Sequence, residues 1–415
     1  MYFRLNSDVY LLGEKNPTIY NSKENSWYAL QQHTKEIIEM LERNICIEKV
    51  ESNLGSIKEL LNYLVDSNLG NYYDKKTHIE KYLPNNPLTK RILRGTYKRV
   101  FVQLTNECDV DCNFCSSKES YFWQGCMSCS LKKKNSENML PIFKLIDLLE
   151  KLGMEELIIR GGNPLLNRED LYKVLCWIEK RTERITIILP GTKWTEEDLY
   201  YFNRIRNRIR IIIVMVGIDK EAYEARGISE KVFNAQSELI KKLKELGISY
   251  SIAINYDQDT KEIPDQLLKQ VVPQYGKAPI LCEKVAINQS FAIEKSQFYN
   301  RISYTANKSD FYSRGIFNKC LYGTISIDIE GNVAPCPMIN YDVVGKIGKD
   351  NLIEIKSNHL NQWWGMTRTT DKICSECGLK YLCISCSAIE QNPLVKTRIC
   401  KSLILDNNII GIHKL

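Results

Sequence analysis

The stretch N-E-C-D-V-D-C-N-F-C, Asn106 to Cys115, constrains this chain more than any other. It sets Cys108, Cys112 and Cys115 on one short loop, with three residues and then two between them. An iron–sulfur cube normally takes four thiolates. Three on one loop leave one iron without a protein ligand. An open coordination position is the mark of a catalytic rather than a structural metal site. A zinc or redox loop is the competing reading of the same spacing.

The remaining cysteines bear on that choice. There are 15 in 415 residues, many of them in C-x-x-C pairs. The N-terminus, M-Y-F-R-L-N-S-D, has no apolar secretory segment, so a cytoplasmic location is expected. In a reducing compartment such pairs read as metal ligands, not disulfides. Apolar runs such as I-I-I-V-M-V from Ile211 are far too short to span a membrane. The net charge of +7 is mild, and clusters such as Lys132 to Lys134 read as solvated faces, so no nucleic-acid partner is expected.

Residues 1–85 read as a unit. Short alternating runs (Y-F-R-L, D-V-Y-L-L, T-I-Y, S-W-Y-A-L) predict strands separated by turns. Two helical patterns follow, one carried by Ile37, Ile38 and Leu41 and the other by Leu60, Leu61 and Leu64. N-L-G-N-Y-Y then supplies a last strand or wing, which makes a winged-helix pattern. DNA binding is the rival use of such a module, but E-I-I-E-M-L-E-R-N is acidic where phosphate contact requires Lys and Arg. Pro84 to Pro87 mark a linker.

From R-V-F-V-Q-L-T onward strands and helices alternate. Helices are predicted over 141–152, 168–181, 195–205 and 230–246, with strands E-L-I-I-R-G-G, I-T-I-I-L-P, I-I-I-V-M-V-G and S-Y-S-I-A-I-N between and after them; K-V-A-I-N-Q-S is the candidate sixth strand. Alternation of this kind predicts a parallel sheet with crossover helices. The first strand delivers the cysteine loop at its C-terminal end. The second ends in R-G-G-N-P, Arg160 to Pro164, whose Gly161 and Gly162 allow close backbone approach to a ligand. An insertion carrying Tyr121, Phe122, Trp123, Cys126 and Cys129 follows the loop. Its cysteine pair could ligate iron or zinc with Cys282 or another partner, its aromatic residues could cover the site, or its thiols could be unused.

Cysteines return at Cys320 and Cys336, which flank a hairpin pattern around Gly331-Asn332. Cys374, Cys377, Cys383, Cys386 and Cys400 complete the array. Two C-x-x-C pairs over 374–386 also suit tetrahedral zinc.

The loop, with Phe114 just before its last cysteine, resembles the signature of the radical SAM family, and the C-terminal array resembles that family's SPASM domain. The N-terminal pattern is similar to the peptide-recognition module associated with enzymes that mature ribosomally made peptides. The resemblance implies an α/β fold: a partial (β/α)6 TIM barrel over 86–310, an N-terminal winged-helix peptide-recognition domain over 1–85 and a cysteine-rich SPASM domain over 311–415. It implies a [4Fe-4S] cluster with an open iron on Cys108, Cys112 and Cys115, where S-adenosylmethionine (SAM) binds and is cleaved to a 5′-deoxyadenosyl radical.

SAM contacts carry over to Phe114, Gly161, Gly162 and Asn163, with Arg226 a candidate for a carboxylate. In the family the turn usually reads G-G-E, its acid helping to hold SAM's ammonium group. Asn163 stands in the acid's place, with an amide oxygen that still accepts a hydrogen bond. Asn163→Glu is therefore expected to tighten SAM binding. Gly217 replaces a serine found near SAM in many relatives.

Two auxiliary [4Fe-4S] clusters are implied, the outer on Cys374, Cys377, Cys383 and Cys400, the inner on Cys320, Cys336 and Cys386. The inner set is one ligand short. It has an open iron, borrows Cys282 or takes a substrate thiolate.

The implied function is hydrogen abstraction from a precursor peptide whose leader binds the N-terminal domain, ending in a thioether cross-link. A flavodoxin- or ferredoxin-type protein would supply electrons. A carbon–carbon cross-link or formylglycine formation are alternatives within the family. A non-catalytic iron–sulfur regulator is the alternative outside it.

Overall fold

The structure is a computed structural model that describes residues 1–81, 97–112, 121–123, 126–129, 138–256, 264–276, 279–283, 285–286, 301–302, 306–339, 341–350, 359–384, 386–390 and 412–415. Phe114, Cys115, Cys400 and the Pro84–Pro87 linker lie outside these residues.

The chain opens with strands β1 (Tyr2–Leu5), β2 (Val9–Leu12), β3 (Thr18–Asn21) and β4 (Ser26–Leu30). Three helices follow, α1 (Gln32–Glu42), α2 (Ile47–Leu54) and α3 (Lys58–Asp66), and then β5 (Gly70–Tyr73). β1 pairs antiparallel with β5, while β2, β3 and β4 form a meander. The two expected apolar stripes are buried, Ile37, Ile38 and Leu41 on α1 and Leu60, Leu61 and Leu64 on α3. The helix between them, α2, buries only Ile47 and Val50, too short a repeat to register as a period.

The next unit is a nine-stranded sheet. Six of its strands run parallel in consecutive order: β6 (Tyr97–Thr105), β8 (Met154–Gly161), β9 (Arg184–Leu189), β10 (Ile209–Met215), β11 (Ser249–Tyr256) and β12 (Ile280–Glu283). The missing number, β7 (Tyr121–Trp123), belongs to the insertion. Helices α4 (Ile142–Lys151), α5 (Arg168–Glu179), α6 (Glu196–Arg204), α7 (Lys220–Glu224), α8 (Glu230–Glu245) and α9 (Pro264–Tyr275) fill the crossovers. α6 begins on a capping box in which Thr195 and Asp198 satisfy each other's backbone N–H.

Side chains alternate across the strands. Ile187, Leu189, Ile211, Ile213, Ile252 and Ile254 pack under the helices. Phe101, Ile158, Ile188, Ile212, Val214 and Ala253 make a separate inner face. Apolar side chains on both faces are what a parallel sheet covered on both sides requires.

The sixth strand is I-L-C-E, not K-V-A-I-N-Q-S. Within the latter segment Val285–Ala286 (β13) pairs antiparallel with β7 instead, Val285 opposite Trp123. Only Glu283 and Lys284 stand between the two apolar stretches, and composition does not show that they pair with different strands.

Beyond β14 (Arg301–Ile302) and helix α10 (Lys308–Ile316), the sheet continues past residue 310. β15 (Thr324–Ile327) lies parallel to β6, Thr324 opposite Arg99, and forms the expected hairpin with β16 (Asn332–Ala334); β17 (Gly345–Lys346) closes that edge. Gly331 turns the hairpin at φ +82°, a conformation that favours glycine. A short strand β18 (Cys383–Ile384) pairs with β14. The last strand, β19 (Ile412–Lys414), returns to pair antiparallel with β4, Ile412 opposite Leu30. N- and C-terminal segments also share an aromatic core in which Tyr10, Tyr20, Trp27, Phe311 and Tyr381 meet. Among the described residues, no helix is long and apolar enough to cross a membrane.

Candidate functional site

The cysteine loop leaves β6 at its C-terminal end and is bonded to the end of β8. Gly162 N donates to the Thr105 carbonyl at 3.1 Å, and Asn163 N to the Glu107 carbonyl at 2.6 Å. A Cβ on Gly161 would overlap the Thr105 carbonyl oxygen, and one on Gly162 the Glu107 carbonyl oxygen. The close approach that demands glycine here is therefore made by the cysteine loop itself, where the sequence pointed to a ligand. Cys112 is buried and Cys108 half-buried, in an apolar patch with Val110, Val216, Tyr223 and Ile228.

Asn163 is fully buried. Its Oδ1 accepts from Leu165 N at 3.1 Å, which caps the short turn of helix Pro164–Asn167. Its Nδ2 donates to Asp109 Oδ1 at 2.6 Å, and Thr192 Oγ1 donates to the same oxygen at 3.1 Å. The amide oxygen expected to face a ligand is thus occupied, and the acid brought to this position is Asp109, exposed on the loop between Cys108 and Cys112. Nothing in one sequence separates Asp109 from Asp111; only the fold does.

Gly217 is explained by packing, because a Cβ there would overlap that of Ala222 on α7. Arg226, half-buried, donates through Nη1 to the Ala222 carbonyl at 3.1 Å. Gln236 was not singled out in the sequence. It reaches from α8 over the strand ends, its Nε2 donating to the Val214 carbonyl at 3.0 Å and its Oε1 accepting from the Tyr223 hydroxyl. Burial holds the Tyr223 hydroxyl protonated, far above its ordinary pKa.

The insertion turns inward. Ser128 is fully buried and its Oγ donates to Asn255 Oδ1 at 2.7 Å. Met127 and Cys129 pack on the inner face of the sheet beside Cys282. A cavity of about 30 Å³ is lined by Cys108, Cys112, Cys129, Val214, Tyr223 and Asn255.

The C-terminal cysteines fall into two groups. Burial pushes the Cys336 thiol well up, and the charges that add to this are those of Cys386, Cys320 and Cys126. Cys383 is pushed up to about 11, chiefly by burial, with Arg368 opposing the shift and Glu390, Cys374 and Cys377 adding to it. Arg368 Nη1 donates to Cys374 Sγ and Asn16 Nδ2 to Cys377 Sγ, both at 3.5 Å. Between the groups lies a cavity of about 340 Å³ whose wall includes Arg99, Arg314, Arg368, Cys320 and Cys383.

Thiols gathered beside arginines suit an anionic cluster. Among the described residues, no three His, Cys, Asp or Glu side chains are placed to hold a single metal ion. A zinc ion draws its sulfurs to about 2.3 Å, whereas a cube spreads its thiolates over separate irons.

Residues 102–270 match the family model of the Radical SAM superfamily, so this part of the chain is a radical SAM domain. No curated protein matches the chain. Among solved structures, anSMEcpe with bound AdoMet and Cp18Cys peptide is 12% identical, with a TM-score of 0.51, covering 73% of this chain and 92% of that one. That likeness shows a shared fold. Streptococcus suis SuiB bound to S-adenosylmethionine aligns over 97% of this chain and 100% of its own at 15% identity and a TM-score of 0.48. SuiB bound to its precursor peptide SuiA gives 17% identity, 96% and 99% coverage and a TM-score of 0.49.

Proposed function

We propose that this chain is a radical SAM enzyme that modifies a ribosomally made peptide, with a thioether cross-link as its product. The observation that carries this reading is the position of Cys108 and Cys112. They stand at the C-terminal end of the first strand of the matched domain, bonded through the backbone to the R-G-G-N turn.

Cys108, Cys112 and Cys115 would hold a [4Fe-4S] cluster with one open iron. When bound there with SAM and reduced by a flavodoxin- or ferredoxin-type donor, such a cluster supplies a 5′-deoxyadenosyl radical. The chain's own residues then have three tasks. Val110, Val216, Tyr223 and Ile228 keep water from the loop. Asn163 and Thr192 fix Asp109, whose carboxylate is the group available for SAM's ammonium. Gln236 ties the ends of the parallel strands, holding the mouth of the partial barrel in shape.

Cys374, Cys377, Cys383 and Cys400 are assigned to an outer auxiliary cluster, and Cys320, Cys336 and Cys386 to an inner one, in a SPASM-type C-terminal domain. The N-terminal strands and helices serve as the winged-helix module for the leader peptide, which would bind by adding a strand to a sheet edge. The outer edge of β4 is already taken by Ile412–Lys414, so a leader has to use another edge or displace that strand.

Co-expression with a candidate precursor peptide, followed by mass spectrometry, tests the substrate and the product. Loss of two hydrogens with a thiol protected from alkylation is the expected result. Loss of two hydrogens with every thiol still free would replace the thioether by a carbon–carbon link. An unmodified peptide would remove the substrate assignment.

A further inference from the structure

Three cysteines of the C-terminal array converge, and a fourth thiol meets them from elsewhere in the chain. Cys336 is buried, and the thiols whose charges act on it are those of Cys386, Cys320 and Cys126. Cys126 is also the foremost charged neighbour of Cys320 after burial is counted. Cys126 comes from the insertion, far from the others in sequence. It is held there by its own loop. Met127 packs on the inner face of the sheet, Ser128 is bonded to Asn255 at 2.7 Å, and Cys129 lines the cavity beside Cys108 and Cys112. Cys129 thus reaches the first cysteine loop, while Cys126 is the member of the C-x-x-C pair whose charge acts on Cys320 and Cys336.

A second observation points to an anion at the same place. Arg160, at the end of β8, is 4% exposed, and its Nε and Nη1 have no hydrogen-bond partner among the described residues. The groups that act on its charge are the thiols of Cys126, Cys129, Cys336 and Cys282, Cys126 most strongly after burial. A buried guanidinium is tolerated only when something negative stands against it. A cube held by four thiolates carries net negative charge and supplies that counter-charge.

We infer that Cys126 is the fourth protein ligand of the inner auxiliary cluster, beside Cys320, Cys336 and Cys386, with Arg160 as its buried counter-charge. This rests on the reading of the C-terminal cysteines as cluster ligands. It fills the position left open by the sequence, and neither Cys282 nor a substrate thiolate is needed. Cys126 binds as the thiolate, its proton leaving to solvent. No iron of this cluster is then free for a cysteine of the peptide.

The test uses full-length protein carrying Cys108→Ala, Cys112→Ala and Cys115→Ala, which removes the SAM-binding cluster and leaves the auxiliary ones. Purified without oxygen, this parent is predicted to hold about eight irons, the content of two cubes. Its reduced-state electron paramagnetic resonance spectrum is predicted to ignore added imidazole. Adding Cys126→Ala is predicted either to remove about four irons or to leave a cube whose signal shifts with imidazole. Cys129→Ala and Cys282→Ala, added singly instead, are predicted to leave iron and spectrum as in the parent. A Cys126→Ala protein indistinguishable from the parent overturns the assignment. So does a parent already sensitive to imidazole, and so does equal loss of iron from Cys129→Ala, which would trace the loss to the packing of the loop. A parent without iron overturns both this inference and the cluster reading beneath it. Normal ligand behaviour in a protein that never cleaves SAM leaves the inference standing and removes only the proposed activity.

Discussion

Asn163 does two things with one amide: its oxygen caps the turn after β8, and its nitrogen holds the carboxylate of Asp109 at 2.6 Å. For Asn163→Glu this sets a stability cost beside the SAM-binding expectation drawn from the sequence. A glutamate there buries a carboxylate and sets it against that of Asp109. The variant is expected to lose about 1–3 kcal/mol of stability, with a lower melting temperature at pH 7. The introduced glutamate, buried beside a like charge, takes a proton at a pH above its ordinary value, so the deficit should shrink as pH falls through that range. A melting temperature equal to wild type at pH 7 would contradict the hydrogen-bond assignment. Gly162 gives a companion test, because a Cβ there runs into the Glu107 carbonyl. Gly162→Ala is predicted to cost about 1–3 kcal/mol as an overpacked contact and to lower the iron held by Cys108, Cys112 and Cys115. Retention of both stability and iron would show that the loop does not depend on this approach.

Elements were legible in the sequence where one apolar period served one neighbour. The runs ending in Leu189 and Met215 are such strands, and Leu60, Leu61 and Leu64 mark such a helix. They failed where pairing was non-local. Val285 and Ala286 follow the apolar residues of β12 after only Glu283 and Lys284 but bond to the insertion, and β19 joins a sheet begun just over four hundred residues earlier, at Val9. The site follows the same rule. The cysteine loop and the glycine turn were readable from spacing, whereas Asp109, Gln236 and the destination of Cys126 depend on which strand ends lie side by side.

Helix α10 ties the two ends of the chain together. Its capping box pairs Asn307 with Asp310, and Phe311 enters the core with Tyr10, Tyr20, Trp27 and Tyr381. Phe311→Ala is expected to cost about 3–5 kcal/mol, read from the midpoint of urea unfolding; a loss below about 1 kcal/mol would mean that the shared core is not formed. Burial pushes the Asp310 carboxyl up, but Lys319, the backbone of Asn307 and Arg314 outweigh it and hold it below its ordinary value. A depressed carboxyl stabilises the fold above the unfolded-state value and loses that contribution as pH falls through the folded one. Asp310→Asn should therefore cost about 1 kcal/mol at pH 7, and its deficit should close as pH drops below about 3.8. A deficit that persists unchanged into that range would contradict the charge pairing.

At the scale of the molecule, the sheet that presents Cys108 and Cys112 also carries β15 and β16, so the cysteines on either side of that hairpin are fixed to the same frame as the cysteine loop. N-terminal strands dock on the C-terminal segment, where the backbone of Lys15 pairs with that of Cys377. The N-terminal strands, the cysteine loop and the C-terminal cysteines are thus packed into one body. The central claim is that Cys108, Cys112 and Cys115 support reductive cleavage of SAM. The direct measurement is 5′-deoxyadenosine released by anaerobically purified, iron-loaded, dithionite-reduced protein given SAM. Wild type is predicted to release it, and the triple alanine variant at those cysteines to release none. No 5′-deoxyadenosine from the iron-loaded wild type, with or without peptide, or an equal amount from the variant, would contradict it.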